Sequence, residues 1–389
     1  MAKLLGIVNI ESATVRVEGV DDYRPASAAS FLGRYRVLDF TLSNMTNSHI
    51  NNIKLYIKNR PRSIVEHVQG TSYNINTKKG HIHILHGEKP ASNEVYNTDV
   101  YNFITNMQFI EESNEPYVVI APSHFVYIQD FKEMLNYHIE SNSDITMLYQ
   151  SVTNAKDSFV RCDTIEMGDG KRVTGIEENR GKYKNRDVSL ECYIMSRNLF
   201  IELVEKAQQV STLYWLRDII RDSVKDLKIT GYQHKGYVAC INTLKAYYDA
   251  NLELRDKDNL KQLFSNHWPI HTRSTDTCPT IYRDGANIKA SLIGNGCDIE
   301  GTVINSVIGR GVVIKKGAIV KDSIILPSTT INKNVKIENA VVDRYAIINH
   351  VKDLKGTKDV PLYIKKGDRI WWTYCLSVLN RYHLLKLEV

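Results

Sequence analysis

The sequence predicts an α/β domain, a mostly parallel sheet with helices on both faces, followed by a left-handed parallel β-helix. Three observations carry this reading. Short β-branched runs alternate with longer amphipathic segments through the first part of the 389 residues, the pattern of a sheet buried beneath helices. Aliphatic residues then recur every six positions, a period that neither an α-helix nor an ordinary strand produces. A composition of 43% hydrophobic and 24% charged residues supports a large packed core and excludes a disordered, collagen-like or disulfide-framework chain.

Taken in order, residues 4–8, 53–57 and 117–121 are short, apolar and rich in branched side chains, as buried strands are. Residues 39–49 and 130–141 read as helices, the second with acids near its start. A turn at Gly168-Asp169-Gly170 joins 164–167 to 172–176 as a hairpin added to the sheet. Residues 198–208, 213–225 and 243–255 read as amphipathic helices, so the first domain is expected to span 1–255. Residues 256–285 are expected to be a linker, with Pro269 and Pro279 marking extended segments. The β-helix is expected over 286–350. Val307, Val313, Ile319, Ile325, Ile331 and Ile337 fall six apart, each predicted to point into the axis of a triangular coil. Ile293 and Ile299 keep the spacing, and the phase breaks at Asn305. About ten hexads, or three-odd coils, fit between 288 and 349. In the tail, 351–389, Trp371-Trp372 and the apolar positions after them read as a short helix on the body or as an interface element.

Composition also bounds the partners. The most apolar stretch, 371–387, is interrupted by Arg381, His383 and Lys386, so no membrane partner is expected. The amino terminus turns polar after eight residues without a signal-peptide cleavage pattern, which predicts a cytoplasmic protein. The net charge of +6, from 50 basic and 44 acidic residues, suits anionic small molecules and is too weak to argue for nucleic acid. Six scattered cysteines contain no CxxC pair, so a metal cluster or disulfide framework is not expected.

Several motifs then appear in order. Arg24-Pro25-Ala26-Ser27, Gly33-Arg34-Tyr35-Arg36-Val37-Leu38-Asp39-Phe40 and Leu42-Ser43-Asn44 resemble the K-P-A-V and G-K-Y-R-I-I-D-F-x-L-S-N segments of sugar-nucleotide pyrophosphorylases. Arg60-Pro61, Glu66-His67, Glu177-Glu178, Lys235-Gly236-Tyr237, Trp268-Pro269-Ile270 and Lys321-Asp322-Ser323 continue the likeness. Through nearly the whole chain it is similar to the glucose-1-phosphate adenylyltransferase (ADP-glucose pyrophosphorylase) family. That resemblance implies a nucleotide-diphospho-sugar transferase-like fold and a reaction of ATP with glucose 1-phosphate that yields ADP-glucose and diphosphate with Mg²⁺.

The departures fall on the chemistry. The family's G-G-x-G-x-R-L loop lets bare backbone N–H groups approach phosphates. Here Asn9-Ile10-Glu11-Ser12-Ala13-Thr14-Val15-Arg16 has no glycine. A carboxylate such as Glu11 at contact range from a triphosphate costs on the order of a few kcal/mol. The resemblance implies Mg²⁺-binding aspartates at the positions of Ser123 and Cys240, a sugar-phosphate lysine at that of Asn179, and a glycine within Ser189-Leu190-Glu191-Cys192-Tyr193. A hydroxyl and a thiol are poor ligands for so hard a cation. No catalytic residue, metal site or cofactor is therefore expected in this chain, with Mg²⁺ expected in a catalytic partner.

These losses resemble the family's non-catalytic branch, which implies a regulatory subunit that joins a catalytic ADP-glucose pyrophosphorylase subunit in a heterotetramer for glycogen synthesis. Arg34, Arg36, Arg60 and Arg62 are candidates for an anion pocket taking a phosphorylated effector; the other reading is ion pairs with Asp39 and Glu66. The alternative function is an active sugar-1-phosphate nucleotidyltransferase whose metal ligands are rearranged onto Asp99, Asp130 or Asp163. His81, His83 and His86 read as solvated strand histidines, or else as metal ligands on one strand face. Hexad acyltransferases use a histidine on the coil, and residues 288–348 contain none.

Overall fold

The computed structural model describes residues 3–10, 12–78, 80–87, 98–211, 213–349 and 353–371. A nine-stranded sheet organises the amino-terminal domain. Leu4–Asn9 lies between Ile53–Ile57 and Tyr117–Pro122, parallel to both, and Ile82–His86 continues the parallel side. The long strand Arg186–Ser196 runs antiparallel to Tyr117–Pro122 and to Ile145–Val152, which Ile229–Gln233 joins in parallel. The sheet is thus mixed, parallel on one side and antiparallel around this strand. Asp163–Met167 and Val173–Glu178 form the expected hairpin.

Side chains alternate along Leu4–Asn9 as a pleated strand requires. Leu4 and Val8 enter one apolar layer with Leu38, Leu42 and Phe131, while Leu5 and Ile7 enter the other with Phe103, Phe200 and Leu203. Helix starts follow local capping. Asp39 accepts the Arg36 backbone N–H at 2.8 Å ahead of Val37–Asn47, and Asp130 accepts that of Lys132 ahead of Phe131–Glu140. The helix expected over 213–225 is shorter, Leu216–Asp222. Part of the expected linker is helical as well: Lys257–Leu263 buries Leu263, and Phe264 packs its ring 5.1 Å from that of Tyr35. The chain then lies along Val37–Asn47, where Trp268 donates to Asn44, the His271 backbone donates to Ser43, and Asn47 donates to the Pro269 carbonyl.

Three parallel ladders of six, five and five strands build the β-helix. They run from Ile281–Tyr282 to Arg369–Ile370, beyond both ends of the expected 286–350 and closer to five coils than to three. The six-residue phase slips once per coil. Axial side chains are Ile308, Ile314 and Val320, then Ile325, Ile331 and Ile337, then Val342, Ile348 and Leu354. A five-residue step separates these triplets, so equivalent positions such as Ser306 and Ser323 lie 17 apart. Ile325, Ile331 and Ile337 are axial as the period predicts. Val307, Val313 and Ile319 are not, because each precedes the axial residue by one: Val307 faces the first domain, and Val313 and Ile319 are half-buried. Left-handed residues make the corners. Asn305, Asp322 and Asn339 have φ of 50°, 46° and 50°, and Gly311, Ser328 and Tyr345 have φ of 67°, 60° and 63°.

The two domains share an apolar seam. Val307, Ile324, Val341 and Tyr363 pack on Val17, Val20, Phe31 and Leu32. Inside it Arg24 donates to Asp343 at 2.8 Å with both side chains buried, and Tyr363 donates to the same carboxylate at 2.5 Å. Gly33, at φ 70°, passes so close to the coil that a Cβ there would lie 2.7 Å from the Ile308 carbonyl oxygen. Among the described residues no helix is long and apolar enough to cross a membrane. Glu11, and the tail helix expected from Trp372 onward, lie outside the described residues.

Candidate functional site

Ligands of α/β folds gather beyond the carboxyl ends of the central strands. Leu4–Asn9 and Tyr117–Pro122 deliver Asn9, Ser123 and His124 to that place. The short strand Phe125–Val126 pairs with Ala239–Cys240, and the Ile241 backbone donates to His124 at 2.8 Å, so the segments of Ser123 and Cys240 are neighbours. Asn179 arrives from the end of Val173–Glu178. Its N–H donates to the Cys162 carbonyl and its own carbonyl accepts from Arg161, both at 2.8 Å. Cys162 Sγ in turn lies 3.5 Å from Cys240 Sγ.

Apolar side chains fill the space between these elements. Ile10, Phe159, Cys162, Leu190, Cys192 and Cys240 belong to one buried cluster continuous with the domain core. Ile10 occupies the loop where the resemblance implies bare glycine backbone, and it is 7% exposed. Residues 153–162 fold over the cluster, with Phe159 and Arg161 at φ 57° and 71°. Asn179 holds this loop: Nδ2 donates to the carbonyls of Ala155 at 2.8 Å and Phe159 at 2.9 Å, and Oδ1 accepts the Gly181 N–H at 3.0 Å. Asn242 donates to the Val160 carbonyl and Arg161 to that of Ala13. The residue standing where a phosphate-binding lysine is implied is a staple for the loop.

The titrating groups match this dry environment. Burial, aided by the charge of Arg217, pushes His124 down to about 3, and neither of its ring nitrogens has a hydrogen-bond partner. Burial pushes the Cys240 thiol well up, which keeps it protonated at neutral pH. Ser123 is fully buried with its hydroxyl unpartnered. A neutral thiol and a hydroxyl supply none of the negative charge that Mg²⁺ coordination needs, so these residues do not fit that cation.

A buried ionic group adjoins the cluster. Arg217 donates to Asp163 at 3.0 Å and to Glu191 at 3.4 Å, and Arg221 reaches Asp163 at 2.5 Å. Glu191 has φ 51° at a register break in its strand. It keeps the left-handed backbone suited to the glycine implied at this position, yet carries a carboxyl that burial raises to about 7. Phe159, Cys162 and Arg217 escape the sequence reading. The available signal was Arg217 and Arg221 one helical turn apart.

The rescue ligands are each engaged in other bonds. Asp163 is held by two arginines, Asp99 accepts the N–H groups of Val100 and Leu216, and Asp130 caps its helix. Among the described residues no group of three or more His, Cys, Asp or Glu is placed to hold a metal ion. The His81 and His83 rings lie 4.4 Å apart, and burial together with Lys54 lowers His83.

Nor do the four arginines form one pocket. Arg62 is exposed and pairs with Glu66 at 2.7 Å, Arg60 is exposed at φ 48°, and Arg34 is exposed with its guanidinium 5.6 Å from the Tyr35 ring centre. Arg34 and Arg36 diverge because the chain turns at Gly33 and enters the helix Val37–Asn47 directly after Arg36. Arg36 turns inward, donates to the Ser63 carbonyl, and is lowered to about 10 by burial and by the charges of Arg344, Arg24 and Arg273.

Residues 22–257 match the nucleotidyl transferase family, and residues 280–354 match the GlmU-like, C-terminal hexapeptide family. The chain is similar to the glycogen biosynthesis protein GlgD of Geobacillus stearothermophilus, 30% identical over 371 residues that cover 94% of this chain and 96% of that one. GlgD of Bacillus subtilis is 28% identical with the same coverage. The glucose-1-phosphate adenylyltransferase of Lachnospira eligens is 31% identical over 292 residues, 74% of this chain and 68% of that one.

Proposed function

The chain belongs to the nucleotidyl transferase family, and from that membership we propose that it is a catalytically deficient, regulatory subunit of glucose-1-phosphate adenylyltransferase. It assembles with the catalytic paralogue, in a heterotetramer, to promote ADP-glucose synthesis for glycogen in the cytoplasm. One observation carries this reading: Ile10, Phe159, Cys162 and Cys240 pack into a single apolar cluster in the cleft where phosphates and Mg²⁺ would have to sit. Phosphoryl transfer is catalysed almost entirely by positioning and charge neutralisation, and this cleft offers neither. Mg²⁺ chemistry then belongs to the catalytic partner. What remains for this chain is contact with that partner and response to small molecules.

The purified chain with ATP, glucose 1-phosphate and Mg²⁺ is expected to release diphosphate at least about a hundredfold more slowly than the catalytic paralogue. Adding the chain to that paralogue is expected to yield a larger complex by light scattering and faster synthesis. Robust turnover by this chain alone would reject the reading.

A phosphorylated effector is proposed to bind beside Arg36, whose side chain donates to the Ser63 carbonyl and is surrounded by the positive charges of Arg344, Arg24 and Arg273, an environment that favours an intervening anion. Millimolar inorganic phosphate or a sugar phosphate should raise the melting temperature. Arg36→Gln should abolish the rise, and no rise in the parent would leave these arginines a structural role.

A further inference from the structure

We propose that Cys162 and Cys240 are a peroxide-sensitive thiol pair that closes reversibly into a disulfide, clamping residues 153–162 onto the strand Ala239–Cys240. The two sulfurs lie 3.5 Å apart, on segments 78 residues apart in sequence, so little displacement separates contact from a bond. Cys162 ends the loop and Cys240 pairs opposite Phe125. Both thiols are buried; in the loop that ends at Cys162, Lys156, Asp157, Val160 and Arg161 are exposed, and side-chain bonds from Asn179, Asn242 and Arg161 help hold the loop down. Opening of this loop admits a small oxidant. Elsewhere, Cys278 is exposed, and Cys297 donates to the carbonyls of Gly294 and Gly309.

The chemistry balances with hydrogen peroxide as the oxidant. Once the loop opens and one thiol gives its proton to water, the thiolate attacks a peroxide oxygen, the O–O bond breaks, the leaving hydroxide regains a proton, and a sulfenic acid and water form. The second sulfur then attacks the sulfenic sulfur, the S–O bond breaks, and a second water leaves. Two thiols and one peroxide thus give one disulfide and two waters, and a dithiol reductant reverses the change. The inference is independent of whether the chain turns over substrate.

The test treats the full chain with hydrogen peroxide, blocks free thiols, and maps peptides without reduction. The expected product is a peptide pair joined through Cys162 and Cys240, two hydrogens lighter than its parts and released by dithiothreitol. The melting temperature should rise by at least about 3 °C on oxidation, and Cys240→Ser should show neither the linkage nor the rise. The proposal is overturned if both thiols are recovered unlinked once Cys278 is fully oxidised, if either pairs with Cys192 instead, or if oxidation lowers the melting temperature. Peptide mapping needs no variant, so the parent chain alone decides the linkage.

Discussion

Glu191 combines two costs at one position. A non-glycine residue in the left-handed region is strained by about 1 kcal/mol, and its carboxyl is raised to about 7 by burial, with Arg217 opposing and Asp163 and Asp99 adding to the rise. The sign of the pH dependence follows. Between the ordinary glutamate value of about 4.3 and about 7, the folded chain keeps a proton that the unfolded chain has lost. Stability contributed by Glu191 therefore falls as pH rises through this window. Glu191→Gln stays neutral and is expected to be more stable than the parent at pH 8 by about 1–3 kcal/mol, with the gain shrinking toward zero at pH 5. Urea denaturation at the two pH values measures it, and an equal difference at both would make Glu191 an ordinary ion-pair partner. The sequence shows a missing glycine here; it does not show that the backbone kept the glycine's conformation.

Residues 153–162 behave as an element pinned mainly by Asn179, with single bonds from Asn242 and Arg161 adding to it. Asn179 makes bonds to Ala155, Phe159 and Gly181 that no apolar replacement can make. Asn179→Ala is expected to cost about 1–3 kcal/mol, because buried carbonyls lose their donor. The loop should loosen locally before the domain unfolds, and its exposed Lys156 and Arg161 then become early trypsin sites. Limited proteolysis followed by mass spectrometry checks this, and an unchanged cleavage rate would show that the loop is held by packing alone. The β-helix teaches a related lesson about elements. Its hexads are legible in the sequence, but the central coils close after 17 residues, as from Val307 to Ile324, an earlier one closes after 15, from Leu292 to Val307, and corners such as Asn305, Asp322 and Asn339 absorb the missing residue with left-handed backbone. A fixed count of six places Val307 in the axis, whereas the shortened side turns it outward onto the first domain.

At the scale of the whole molecule, the buried Arg24–Asp343 pair ties the α/β domain to the coil. Removing one member strands the other in a dry interface, and Arg24→Ala is expected to cost about 3–5 kcal/mol. Calorimetry should show a lowered midpoint, and combining Arg24→Ala with Asp343→Asn should recover part of the loss because no uncompensated charge remains. Full additivity of the two changes would mean that the pair is not coupled. The motifs carrying Arg24, Gly33, Ser43 and Asn44 were legible as a family likeness. The structure gives them mechanical duties: Arg24 and Gly33 meet the coil, and Ser43 and Asn44 dock the segment around Trp268.

The order of residues alone determined the two architectures, the family and the absence of its carboxylates and glycines, because periodicity and short motifs are properties of neighbouring positions. Tertiary structure decided what took their place. It brought Cys162 against Cys240, folded Phe159 and Ile10 into the cleft, made Asn179 a staple, and sent Arg34, Arg60 and Arg62 to the surface while Arg36 turned inward. Those outcomes depend on contacts between segments far apart in the chain, and on which side of a turn each side chain leaves, neither of which a local pattern encodes.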